Sequence, residues 1–422
     1  LNRAKLSGGV RGFVELQAFD FWGAELDEAG TEAGNDFLET HLIRDELGFG
    51  GFAGQGNDEV SLYQSYIEMN DIGDYPFMVR VGRQELVYGR EWLIGNNSAG
   101  VNFSGLAFDA LKVSYDDDMF AIDAWASKLA DFSSPLAVRT GIEEDADIDF
   151  YGAYGTYKGI ENMAIDLYAL LVRDAQSNDA VLGTNDTSDV MTLWTLGGRV
   201  AGAWDVMGML PGMLDYNVEA AFQFGDNNLS SALDPRDSGE FGGWAFNAMA
   251  GYTFTDVQWT PRLEAEYAFF SGDDDATDED TEEFVRLFSD VHYGELNLGG
   301  DLDQFATNLH IIRVGASAVP VDKLTLKADL LWFMLAEDDE DGLAKTFGLP
   351  QFKPVLGVGN VANDDDDAGV ELDLVADYQY TEDLNLRAGW AHFFADDAIE
   401  NSWGAGEDDD VDYVYVQAML VF

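Results

Sequence analysis

Counting back in twos from Phe422 gives Leu420, Ala418, Val416 and Val414, all apolar, while Gln417, Tyr415 and Tyr413 hold the alternate positions. Side chains of an extended strand alternate between two faces, so this segment has one greasy face and one mixed face. The pattern recurs. Tyr216, Val218, Ala220, Phe222 and Phe224 alternate with Asn217, Glu219, Ala221, Gln223 and Gly225, and Val370, Leu372, Leu374, Ala376 and Tyr378 with Glu371, Asp373, Val375, Asp377 and Gln379. Leu263, Ala265, Tyr267 and Phe269 lie opposite Arg262, Glu264 and Glu266, and Leu326, Ala328, Leu330 and Trp332 opposite Lys327 and Asp329. Segments of about ten residues with this alternation are long enough to cross a bilayer when tilted.

The pattern predicts strands at 2–7, 10–22, 60–71, 76–87, 105–115, 119–130, 147–158, 162–173, 190–204, 214–226, 243–254, 261–271, 307–318, 323–335, 366–379, 384–394 and 409–422. Connections alternate as well. Short ones fall at Gly8-Gly9, Gly73-Asp74, 116–118, 159–161, 255–260, 320–322 and 381–383, with a slightly longer one near 205–213. Long, mostly acidic ones fall near 23–59, 88–104, 132–146, 174–189, 227–242, 272–306, 336–365 and 395–408. Short periplasmic turns opposite long extracellular loops are the asymmetry of an outer-membrane barrel, and neither helical periodicity nor a βαβ rhythm competes with it. The expected fold is therefore all-β: one antiparallel transmembrane β-barrel over residues 1–422. Bacterial single-chain barrels close with an even number of strands, so the odd count implies eighteen, the first lying upstream of Leu1, with sixteen the alternative.

Composition sharpens this picture. The 422 residues carry 80 acidic and 22 basic side chains, a net charge of −58, which makes nucleic acid a poor partner. The excess suggests a salty or divalent-rich setting, a marine or halophilic Gram-negative bacterium. There is no cysteine, which excludes disulfides and thiolate metal sites. Glycine and aromatics are abundant, with 45 Gly, 28 Phe, 17 Tyr and 10 Trp. Glycines inside strands, such as Gly152, Gly155, Gly197 and Gly198, mark bulges or loop contacts, or simply the tolerance of a large barrel. His41, His292, His310 and His392 stand far apart, and no His-Glu-x-x-His, nucleophile elbow or P-loop occurs, so no enzyme is expected.

Alternation sends Arg11, Arg80, Lys112, Arg199, Arg262, Arg313, Lys327 and Arg387 to the lumen, with Glu15, Glu68, Asp123, Asp166, Glu219, Glu264, Glu266, Asp329, Glu371, Asp373 and Asp377. Such a wall is mixed in sign and slightly acidic. It serves either as a stiffening lattice of salt bridges or as a field that orients polar solutes and favours cations. Acidic tracts at 273–283, 337–341, 364–367 and 407–410 fall in the outer loops and form a hydrated, cation-enriching mouth. Asp273, Asp274, Asp275, Asp278 and Asp280 are the candidates for calcium, although no complete EF-hand spacing is present.

The segment Val79-Arg-Val-Gly-Arg-Gln-Glu-Leu-Val-Tyr-Gly89, followed by Glu91-Trp-Leu-Ile-Gly95, resembles the alginate-export family of outer-membrane porins. Further similarities occur at 13–17, 271–273, 292–294, 308–310, 377–380 and 386–389, in order along nearly the whole chain. The resemblance implies an eighteen-stranded monomer rather than a trimer, and a passage in which Arg80, Arg83 and Arg90 line or anchor a constriction. Strict alternation from Val79 and Val81 points Arg83 toward lipid instead. A channel for a carboxylated polysaccharide also needs a net basic path, whereas acids outnumber bases here. The expected function is passive diffusion of small hydrophilic solutes with weak cation preference. Export of an acidic polysaccharide and a calcium-binding adhesive surface barrel are the alternatives.

Overall fold

In the computed structural model, residues 2–5, 9–17, 60–72, 75–96, 105–130, 147–175, 190–208, 211–230, 238–274, 280–296, 307–337, 366–396 and 410–421 are described. They form one antiparallel sheet of eighteen elements. These are β1 Asn2–Lys5, β2 Val10–Gln17, β3 Ser61–Asn70, β4 Phe77–Gln84, β5 Phe108–Asp116, β6 Phe120–Ala130, β7 Ile148–Ile160, β8 Met163–Asp174 and β9 Met191–Val206. They continue as β10 Gly212–Ser230, β11 Ser238–Phe241, β12 Trp244–Phe254, β13 Arg262–Phe270, β14 Leu309–Val321, β15 Leu324–Leu335, β16 Asp367–Gln379, β17 Leu384–Ala395 and β18 Val411–Leu420. β11 and β12 both pair with β10 and are separated only by Gly242-Gly243, so together they make one crossing and the sheet has seventeen. Each crossing pairs with the next in sequence, from β1–β2 to β17–β18. No registered pair joins β18 to β1 among the described residues.

Seventeen crossings match the seventeen strands expected, most ends agreeing within three residues. Two differences matter. β4 stops at Gln84, so residues 85–87, expected as strand, open an irregular segment instead. β10 runs to Ser230, past the expected end at 226, and from Gly225 onward it pairs with β11, which falls where a loop was expected.

The turns hold by local side-chain chemistry. Asp117 accepts hydrogen bonds from the backbone N–H of Met119 and Phe120, at 2.8 and 2.7 Å, and so closes the β5–β6 turn. Thr381 Oγ1 does the same for Leu384 N–H at 3.0 Å in the β16–β17 turn.

One face of the sheet is apolar and open. Val416 is 82% exposed, Val414 69%, Leu167 68%, and Val81, Leu111, Ile122, Leu196, Phe222, Leu263, Val314 and Leu374 are exposed on the same parity of their strands. A belt of this size requires an apolar solvent around it. The opposite face holds the buried polar side chains, among them Glu68, Asp166, Asn217, Glu219, Asn247, Glu266 and Asp373. Glycines make room there for large rings. A Cβ on Gly152 would lie 2.0 Å from the Trp125 ring and one on Gly197 2.3 Å from the Tyr168 ring, so both positions are close-packing sites, not bulges.

Candidate functional site

The inner face divides into two zones along the strands. Near the long-loop ends it is apolar, with Phe108, Ile148, Phe150, Leu170, Val172, Leu193, Phe270, Ile311 and Leu331 all buried. Two segments cover it. Residues 85–96 follow β4 and bring in Leu86, Trp92, Leu93 and Ile94; residues 280–296 follow β13 and bring in Phe284, Leu287, Phe288, Val291 and Tyr293.

The two segments are hydrogen-bonded to each other through a parallel bridge between Ile94 and Phe288. Phe288 N–H donates to Leu93 O at 2.9 Å, Gly95 N–H to Phe288 O at 2.8 Å, and Asp290 N–H to Glu91 O at 2.9 Å. A Cβ on Gly95 would lie 2.5 Å from Asp290 Cβ, so only glycine allows this approach. Trp92 Nε1–H donates to Tyr293 Oη at 3.2 Å, and Phe288 packs edge-on against Phe108 with centroids 5.0 Å apart. Gln223 on β10 pins the second segment from the wall, donating to Val285 O and accepting from Val285 N–H, each at 2.8 Å. Arg286 is buried inside that segment, donating to Val291 O at 2.6 Å and lying 5.0 Å from the Phe270 ring centroid. These contacts make the two segments one packed body held inside the sheet.

Toward the short-turn ends the inner face is charged, and the charges are paired. Glu68 on β3 accepts from Arg80 on β4 at 2.6 Å and from Arg11 on β2. Lys112 reaches Asp123 at 3.3 Å, which also accepts from Tyr88 of the first inward segment at 2.8 Å. Arg199 bonds Asp166 at 2.6 Å, Arg262 bonds Asp215 at 2.8 Å, and Arg313 contacts Glu264 and, at 3.5 Å, Glu266. Arg90 extends from the first segment to Glu266 on β13 at 2.6 Å. Glu295 at the end of the second segment accepts from Arg387 at 2.7 Å and from Tyr415. Glu371 and Asp373 receive the backbone N–H groups of Leu296 and Glu295 at 2.7 and 3.2 Å. Ion pairs of this kind are tolerable where water or further hydrogen bonds complete the shell.

The structure thus brings most of the sequence-chosen residues onto one face. Glu15 accepts from Gln64 at 2.8 Å and Asp377 from Asn385 at 2.7 Å, while Asp329 lies 3.9 Å from Arg313. Lys327 stands exposed on the same face, opposite Ser317 and Val375 in register. Glu219 accepts from Tyr168 at 3.0 Å. Arg83 is a correction. It lies on the outward face, in register with Asp109 and bonded to it at 2.7 and 2.9 Å, because alternation continues through β4 from Val79 and Val81. Of the calcium candidates, Asp273 and Asp274 come together with Glu282, their carboxylate oxygens within 4.8 Å of one another. Asp280 instead accepts from the Glu240 backbone N–H at 2.8 Å, and Asp275 and Asp278 lie outside the described residues. A hydrogen bond with Asp274, reinforced by burial, pushes the Glu282 carboxyl up to about 7.

Alternation had not pointed to the aromatic row on the inner wall, where Trp125, Tyr88, Tyr154 and Tyr168 stack at 4.9, 4.7 and 5.4 Å. The phenols of Tyr88, Tyr154 and Tyr168 donate to Asp123, Asp166 and Glu219 respectively. Burial, with the facing Asp123 carboxylate, holds the Tyr88 phenol well above its usual pKa, so it remains a donor.

An open apolar exterior, a charged interior and loops packed inside the sheet define an outer-membrane β-barrel channel. The alginate export family model matches residues 34–411, and the chain belongs to that family. Solved structures are similar in fold at low identity. OccK8 (OprE) of Pseudomonas aeruginosa is 15% identical, with 98% of this chain and 89% of that one covered and a TM-score of 0.53. OccAB1 of Acinetobacter baumannii is 14% identical, with 85% and 76% covered and a TM-score of 0.50. The outer membrane protein OprD of Pseudomonas aeruginosa is 14% identical, with 86% and 79% covered and a TM-score of 0.50. No curated protein matches the sequence. The protein is a porin-like channel of the outer membrane and not an enzyme.

Proposed function

We propose that this barrel passes small hydrophilic solutes by passive diffusion, with a weak preference for cations, and that it works as a monomer. The observation that carries the reading is the inner wall. Its bases, Lys327 aside, are engaged by carboxylates at Glu68, Asp123, Asp166, Asp215, Glu264, Glu266 and Glu295, and the half-buried acids Glu15, Asp329 and Asp377 on the same face leave the wall slightly acidic. Carboxylates facing a water-filled passage lower the free energy of a cation there, and the acidic loops enrich cations before they enter. The inward body formed by 85–96 and 280–296 narrows the passage, which favours small solutes over wide ones. Reversal potentials across a planar bilayer under a KCl gradient test this. A potential of the sign set by K⁺ is expected; one set by Cl⁻ refutes it.

Export of an acidic polysaccharide is the second reading, favoured by the family and by Arg11, Arg80 and Lys112 on β2, β4 and β5. Blockade of the K⁺ current by oligomers of an acidic sugar, relieved by Arg80→Gln, would support it over simple diffusion.

A further inference from the structure

The outward face carries a charged row that the passage does not use. Arg83 on β4, Asp109 on β5, Lys128 on β6, Asp149 on β7 and Arg173 on β8 are direct register partners across five neighbouring strands, alternating in sign. Arg83 bonds Asp109 at 2.7 Å, Lys128 bonds Asp149 at 2.8 Å and also meets Asp147, and Arg173 lies 3.5 Å from Asp149. Every member stands within three residues of the long-loop end of its strand, so the row follows the rim.

Two residues further from the rim on the same face, also in register, comes an apolar row: Val81, Leu111, Ala126, Tyr151 and Leu171. The charges therefore sit where the hydrocarbon-facing surface ends and the headgroup layer begins. Among the described residues no other Lys or Arg lies on the outward face at the loop ends of the strands. In a chain of net charge −58, these three cations are confined to one sector of the rim. They remain reachable: the side chains of Lys128, Arg173 and Arg83 are 50%, 31% and 27% exposed. They stand on alternate strands, about 10 Å apart from one to the next at two strand spacings each.

We propose that this sector docks a phosphorylated glycolipid of the outer leaflet, with Arg83, Lys128 and Arg173 taking its phosphate oxygens and the row beneath taking its acyl chains. Guanidinium and ammonium groups bind phosphate by charge-assisted hydrogen bonds, which strengthen at the poorly hydrated headgroup boundary. Asp109, Asp147 and Asp149 hold the cations in line when no phosphate is present. The proposal rests on the long-loop end facing the outer leaflet.

The test uses the whole barrel in detergent micelles with bisphosphorylated lipid A as probe, read by native mass spectrometry, with single-channel conductance recorded in parallel. Wild type is expected to retain the lipid, and R83Q/K128Q/R173Q to bind at least tenfold more weakly with conductance unchanged. Lipid A stripped of its phosphates should bind as weakly as the triple variant does. D109N/D149N is expected to bind more tightly, because Arg83 and Arg173 lose their carboxylate partners and Lys128 keeps only Asp147. Equal retention by wild type and the triple variant overturns the proposal, as does equal binding of dephosphorylated lipid or of phosphatidylglycerol. A lower melting temperature for D109N/D149N without any gain in binding also overturns it, since the row would then be an internal staple only. A wild-type barrel that retains the lipid yet conducts nothing supports docking and refutes the channel reading instead.

Discussion

Replacing Trp92 by alanine removes the ring that joins the two inward segments. Trp92 is 2% exposed, packs 6.0 Å from the Phe270 ring and 6.3 Å from the Phe284 ring, and donates to Tyr293 Oη. Truncating a buried tryptophan costs about 3–5 kcal/mol, the transfer and cavity terms together. Tyr293 Oη keeps a second partner in Asn247, so the lost hydrogen bond adds little. None of the sheet pairing involves Trp92, so the cost falls on docking of the inward body and not on the strands. At about 1.4 kcal/mol per factor of ten, the docked-to-undocked ratio should fall by about two to three and a half orders of magnitude. Segments that were held closed should then open on the timescale of a recording. Single-channel traces of W92A are expected to show higher mean conductance and frequent steps, while the melting temperature of the sheet, followed by far-UV circular dichroism, stays near wild type. Quiet traces at wild-type conductance would refute the view that these segments set the narrow part of the passage.

Lys327→Glu replaces an exposed inner-face cation by an anion. A unit charge about 8 Å from a permeating ion in water is worth about 0.5 kcal/mol, so reversing one shifts cation and anion by about 1 kcal/mol each in opposite senses and should raise the cation-to-anion permeability ratio on the order of tenfold at low salt, less as salt screens it. Reversal potentials measure this, and no shift would place Lys327 outside the ion path. Leu167→Arg puts a charge on the outward face, where Leu167 is 68% exposed, and should destabilise the barrel by about 2–4 kcal/mol if the site lies at mid-bilayer depth. Urea unfolding in lipid vesicles reads it, and a neutral outcome would argue against hydrocarbon at that position. Because the Glu282 carboxyl is raised to about 7 through its bond to Asp274, the folded state binds a proton there that the unfolded chain has released. That contribution is complete below the usual carboxylate range and is lost as pH rises through about 7. Hydrogen exchange of residues 281–285 should accelerate between pH 6 and 8 beyond its intrinsic rate, and Glu282→Gln should abolish the excess.

The strands were legible because a two-residue period is imposed by lipid on one side and water on the other. From Tyr216 to Phe224, and from Val370 to Tyr378, each side chain stands on the face its parity demands. The inward body was not legible, because periodicity is silent about irregular segments. A signal was present all the same: Phe284, Leu287, Phe288, Val291 and Tyr293 are too apolar for a hydrated acidic loop, as are Leu86, Trp92, Leu93 and Ile94. Leu309 and Ile311 on β14 likewise occupy inner-face positions where a water-lined wall would be polar. The misplacement of Arg83 came from following a family motif over parity, and Lys128, Asp149 and Arg173 repeat its message as charges on the apolar parity near strand ends. Glu282 was missed beside Asp273 and Asp274 because the fold, not the spacing along the chain, brings it back to them.

The most direct measurement exploits the absence of cysteine. Single cysteines at each position from 370 to 378 on β16, spin-labelled in vesicles, report whether lipid-soluble oxygen or a water-soluble nickel chelate relaxes them. Oxygen should dominate at Leu372, Leu374 and Ala376 and the chelate at Asp377, while the buried inner-face positions Asp373 and Val375 should be poorly reached by both. Chelate access at Leu372, Leu374 and Ala376 equal to that at Asp377 would contradict this.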